Sequence, residues 1–136
     1  MPKTLRSLRL PFVALLGAIL LAAAGVRSAD AAARFHTRLL KSSPAKDTVL
    51  TASPAAIELT FSESVELSVS KIQLVGADQK PAAVAALTRD AKGSAATLVA
   101  RITTPLAAGT YTVNWTAASA DGHPVKGTYD FTVRAQ

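Results

Sequence analysis

The chain has 136 residues, 49% of them hydrophobic, a formal net charge of +6, no cysteine, and one methionine, at position 1. Without cysteine it holds neither a disulfide nor a thiolate-bound metal, so its stability must come from a packed core. No run of basic residues interleaves with aromatics, which argues against a nucleic-acid binder.

Residues 1–33 read as a cleaved export signal and not as fold. Lys3, Arg6 and Arg9 precede an apolar run from Pro11 to Gly25. Ala29-Asp30-Ala31 and Ala31-Ala32-Ala33 then place small residues where signal peptidase needs them. The run falls short of the roughly 20 residues that a spanning helix requires. No cysteine follows it, which excludes a lipid-anchored bacterial export product. Removing 1–33 lowers the formal charge from +6 to +3. Residues 34–136 are then one small domain, with no membrane span, repeat or linker, large enough to bury a core without cross-links.

That domain reads as strands throughout. A short strand is expected at Leu39 to Lys41, ahead of Ser43-Pro44. After Ser53-Pro54, Ile57-Glu58-Leu59-Thr60-Phe61 alternates apolar and polar with period two. A weaker strand is expected near Val65 to Val69, and a stronger one at Lys71 to Leu74. Past Pro81, Ala83 to Leu87 fits a strand, while Pro81 to Ala86 fits a helical turn equally well. Leu98 to Ile102 alternates again, as do Thr110 to Thr116 and Thr128 to Arg134. Tyr111, Val113 and Trp115 share one face, and Tyr129, Phe131 and Val133 share one face, opposite threonines, Asn114 and Asp130. One face inward and one in water predicts an all-β, antiparallel sandwich.

Chemistry concentrates in Ser119-Ala120-Asp121-Gly122-His123-Pro124, in the connection between the two best strands. It carries one of two histidines, and the other, His36, lies just past the cleavage region. His36, Asp121, His123 and the new N-terminus are the ligand set this composition leaves, and it suits Cu(II) better than Cu(I). Plainer readings stand beside it. Asp-Gly is a common turn pair, a loop histidine is often merely solvated, and chain ends commonly fray. Glu63, after Phe61-Ser62, is either a carboxylate that orients a metal ligand or an exposed acid at a strand end.

Four segments resemble the CopC family of periplasmic copper-binding proteins, in the group that includes YobA-like proteins. They are Leu40-Lys41-Ser42-Ser43-Pro44-Ala45 after a histidine, Ile57 to Glu63, Gly109 to Trp115, and Ser119 to Gly127 running on to Phe131-Thr132-Val133. The resemblance implies a single Greek-key β-sandwich, immunoglobulin-like or cupredoxin-like, with one Cu(II) bound by His36, Asp121 and His123. All ligands must be deprotonated, so binding weakens as pH falls through the histidine and amine range. It also implies a periplasmic carrier or buffer in copper resistance or supply, expected as a monomer and not an enzyme. The implied partner is an inner-membrane copper importer of the CopD type.

Two departures from the family pattern matter. Some members carry a methionine-rich segment for Cu(I); this chain does not, so no Cu(I) site is expected. Cleavage after Ala33 would leave Arg34-Phe35-His36, in which amine, amides and imidazole could chelate Cu(II) locally, whereas His36 as residue one needs cleavage after Phe35. Two other functions remain as alternatives: a sandwich interaction module without a working metal site, and an oxidative enzyme of the copper-brace kind.

Overall fold

A computed structural model describes residues 37–120 and 122–135. Among the described residues eight strands form two sheets: β1 Leu39–Ser43, β2 Val49–Leu50, β3 Ala56–Phe61, β4 Lys71–Gly76, β5 Pro81–Ala82, β6 Thr97–Arg101, β7 Gly109–Ala118 and β8 Pro124–Val133. One sheet has the order β1-β3-β6 and the other β2-β8-β7-β4-β5. The chain passes from the first sheet to the second between β1 and β2, and again at the paired crossings from β3 to β4 and from β6 to β7. Those strands are neighbours in both sheets, β3 beside β6 and β4 beside β7, which interlocks the layers as a Greek-key sandwich requires.

The alternation read from the sequence is the alternation of burial. Ile57, Leu59 and Phe61 on β3 are buried and face Val113, Phe131 and their neighbours on the long β7–β8 hairpin. Trp115 closes one end of this core, its ring edge-on to Phe61 at a centroid distance of 5.3 Å. Trp115 stands opposite Gly127 in the β7–β8 register, and its indole lies over the glycine.

Three details differ from the sequence reading. Val65 to Val69 is not a strand: Val65 makes a single bridge to Ser119, and Leu67–Val69 is a turn of 3-10 helix. Ser70 closes that turn, its N–H donating to Leu67 O and its hydroxyl to Glu66 O, so local bonds replace a ladder. β6 does not have one wet face, because Thr97 through Ala100 are all buried. Its far edge is covered by the segment after β5, with Thr88 paired to Val99 and the Ala85 N–H donating to Arg101 O. That segment is extended, which resolves the strand-or-helix ambiguity at Pro81 to Leu87; Pro81 sits on an edge strand, where its missing N–H costs no ladder bond. Finally, β2 runs parallel to β8 over two residues, a local exception in an otherwise antiparallel fold.

The Tyr129 hydroxyl is buried without a hydrogen-bond partner among the described residues. Burial raises its pKa above the ordinary tyrosine value, and the nearby Ser42 side chain, short of a full hydrogen bond, offsets this only in part. The unfolded chain therefore releases the phenol proton at about pH 10 while the folded chain keeps it, so stability must fall as pH rises through that range. Tyr129→Phe should leave denaturant stability at neutral pH within about 1 kcal/mol of the parent. It should also flatten the alkaline decline, a difference read from urea midpoints at neutral and alkaline pH.

Candidate metal centre

The site is organised by the turn that follows β3. Phe61 is the last inward residue of that strand, and Ser62, Glu63 and Ser64 emerge into solvent before Val65 returns to the core. This short stretch grips two distant parts of the chain. On one side, Thr37 is buried and its hydroxyl donates to Glu63 Oε1 at 2.6 Å. The Arg38 N–H donates to Ser62 Oγ at 3.0 Å, and the Ser62 N–H donates back to Arg38 O at 2.8 Å. On the other side, Val65 bridges Ser119, and the Glu66 N–H donates to Ala118 O at 2.8 Å. Arg89 braces the turn from behind, its Nη2 donating to Val65 O at 2.6 Å and its Nη1 to Ala95 O at 2.6 Å.

Beyond Ser119 the chain reverses. The Gly122 N–H donates to Ser119 O at 2.9 Å, and Gly122 has φ +80°, a left-handed conformation that glycine adopts without steric cost. His123 follows on the exposed side of the turn, one residue before β8 begins. Pro124 opens that strand at its margin, where a missing N–H is tolerated.

Of the four residues singled out from the sequence, two are described. His123 is exposed at the end of the β7–β8 hairpin, and Glu63 is exposed on the turn after β3 with one carboxylate oxygen engaged by Thr37. His36 and Asp121 lie outside the described residues. Their chain neighbours Thr37, Ala120 and Gly122 are within them, and both Thr37 and the Ala118–Ser119 step are fastened to residues 62–66. Among the described residues no three His, Cys, Asp or Glu side chains gather closely enough to hold a metal ion. His123 and Glu63 supply an imidazole and a carboxylate, the borderline and hard donors suited to Cu(II) or Zn(II) and not to a soft ion. The sequence reading missed Thr37 and Arg89: a single threonine and a single arginine carry no local pattern, and the turn residues they hold, Glu63 and Val65, lie 26 and 24 positions away.

The profile of the CopC domain matches residues 39–134, which is most of the chain. The chain belongs to the CopC family. Copper resistance protein C of Pseudomonas syringae pv. tomato is 39% identical over 110 residues, covering 77% of this chain and 86% of that protein. Among solved structures, CopC from Methylosinus trichosporium OB3b superposes with a TM-score of 0.67 at 31% identity, covering 74% of this chain and 96% of that one. PcoC, a methionine-rich copper resistance protein from Escherichia coli, gives 0.64 at 36% identity, covering 73% and 99%. The Asp121-Gly122-His123 segment lies inside the CopC domain, and His36 lies three residues ahead of it. No helix among the described residues is long and apolar enough to cross a membrane.

Proposed function

We propose that the protein binds one Cu(II) ion in the periplasm, after loss of its export signal, and carries or buffers it in copper resistance or supply. The ligands are His36, Asp121 and His123, with Glu63 orienting the group from behind. The observation that carries this reading is the double grip of residues 62–66, which fastens Thr37 on one side and Ala118 and Ser119 on the other. Those are the chain positions that lead to the two proposed donor segments. Two imidazoles, a carboxylate and an amine would make the nitrogen- and oxygen-rich set that Cu(II) prefers. The relative PcoC is described as methionine-rich, whereas this chain has only Met1, so the proposal includes no Cu(I) site. Copper is cargo here and the protein a monomeric carrier, not an enzyme, that passes it to an inner-membrane importer of the CopD type.

A second reading rests on Arg34-Phe35-His36, which could chelate Cu(II) by itself if cleavage falls after Ala33. Intact mass of the exported protein establishes which front end exists. Cu(II) titration followed by EPR, on that species and on His36→Ala, then tests the site. The assembled site predicts that His36→Ala weakens copper binding and changes the EPR parameters without silencing the signal, because Asp121 and His123 remain. Complete loss of the protein-bound signal favours the local chelate. An unchanged spectrum and affinity removes His36 from the ligand set.

A further inference from the structure

The outer face of the five-stranded sheet, which the copper reading does not use, carries a shallow trough of about 560 Å³. Its lining is set by strand register. Lys71, Thr116 and Lys126 form one row across β4, β7 and β8, and Gln73, Asn114 and Thr128 form the next. Asn114 and Thr116 of β7 make the floor, with Lys71 and Gln73 of β4 on one side and Lys126 and Thr128 of β8 on the other. Lys71 and Lys126 flank the row two strand spacings apart, about 10 Å. Both are exposed, and neither has an ion-pair partner among the described residues. No acid lines the trough. The next carboxylate on this face, Asp130, is one row further and already accepts a hydrogen bond from Thr112 at 2.6 Å.

We infer that this trough is a docking site for an acidic, extended segment of a partner protein. Carboxylates three residues apart in a polyproline II segment project from one side about 9 Å apart, close to the lysine spacing. Gln73, Asn114, Thr116 and Thr128 offer donors and acceptors to the backbone between them. A lipid surface fits worse. Two lysines near an anionic membrane contribute only about 2 kcal/mol, and an interfacial anchor also needs apolar side chains to insert. The large exposed apolar residues Leu40, Val49 and Val69 are not part of the trough, and its one aromatic residue, Trp115, is half-buried and packed edge-on against Phe61.

The trough also lies on the strands that lead to the candidate metal centre. Lys126 is three residues beyond His123, and Thr116 three residues before Ser119, about 10 Å along each strand. A partner seated there would hold its own donors beside the turn at residues 119–123. That it exchanges copper with this protein rests on the function proposed above; the docking itself does not.

The test is a nitrogen-15 NMR titration of the processed protein with a hexaglutamate peptide at low salt. The expected result is amide shifts clustered at Lys71, Gln73, Asn114, Thr116, Lys126 and Thr128, none with a hexaserine peptide, and loss of binding as salt is raised. Lys71→Glu with Lys126→Glu should weaken binding about tenfold or more, and the milder Lys71→Gln with Lys126→Gln about threefold. His123→Ala should leave the peptide map unchanged while its copper EPR is altered, so the two readings fail separately. Shifts centred elsewhere, or affinity indifferent to both lysine pairs, would overturn the proposal. So would phosphatidylglycerol vesicles that bind the same face when the peptide does not.

Discussion

Replacing His123 with alanine should lower Cu(II) affinity by more than about 100-fold, beyond the 10- to 100-fold that removing a merely orienting partner costs. The residue is exposed on the turn closed by the Gly122 N–H to Ser119 O bond, so its loss leaves no hole in the core. The metal-free variant should therefore melt within about 2–4 °C of the parent, since exposed substitutions usually cost no more than about 0.5 kcal/mol. A ligand that binds only the folded state adds about 2.7 kcal/mol of stability when present at 100 times its dissociation constant. Copper at that excess should thus raise the melting temperature of the parent by about 10–20 °C and that of His123→Ala hardly at all. Calorimetry with and without Cu(II) reads both quantities. An undiminished copper shift in the variant would remove His123 from the site.

Gly127→Ala should be the most destabilising single-methyl change in the hairpin. A Cβ added there would stand 2.5 Å from one ring carbon of Trp115 and 2.8 Å from another. Neither side can easily yield, because the indole is held against Phe61 and the backbone is held by the β7–β8 ladder. Overpacking of this kind costs about 1–3 kcal/mol. For a domain near this size each kcal/mol lowers the melting temperature by about 4–8 °C. Trp115→Phe, with a smaller ring, should relieve part of the clash, so the double variant should lose less than the sum of the two single losses. Strict additivity in thermal melts would show that the indole does not occupy the space over the glycine.

Strands whose two faces see different solvents announced themselves in the sequence. β3, β7 and β8 alternate because one side packs on Phe61, Val113 and Phe131 while the other meets water. Where a second layer or a local bond intervened, the alternation failed. Val99 is apolar on what would have been the wet face of β6, and it is buried beside the extended segment that pairs with it at Thr88. Val65 to Val69 has the composition of a strand, yet the bonds of Ser70 curl it into a turn. β2 was invisible because two residues are too few to show a period. At the candidate site, Glu63 and His123 were legible by residue type and place, whereas the Thr37 clasp was not, since nothing local marks a threonine for a carboxylate 26 positions away. His36 and Asp121 lie outside the described residues, and their part in the site rests on chemistry and family resemblance.

The stretch from Ser62 to Glu66 cannot change length freely. Each of its bonds faces a different neighbour: Arg38 at one residue, Thr37 at the next, then Ala95, Ser119 and Ala118. An inserted residue would swap inward for outward beyond it and release one of the two attachments whatever its side chain. Relatives of this chain should therefore gain and lose residues at hairpin tips such as Ala77 to Lys80 while keeping this spacer fixed, so that evolution can reshape the protein's rim but not the hub that fastens the segments proposed to carry the copper donors.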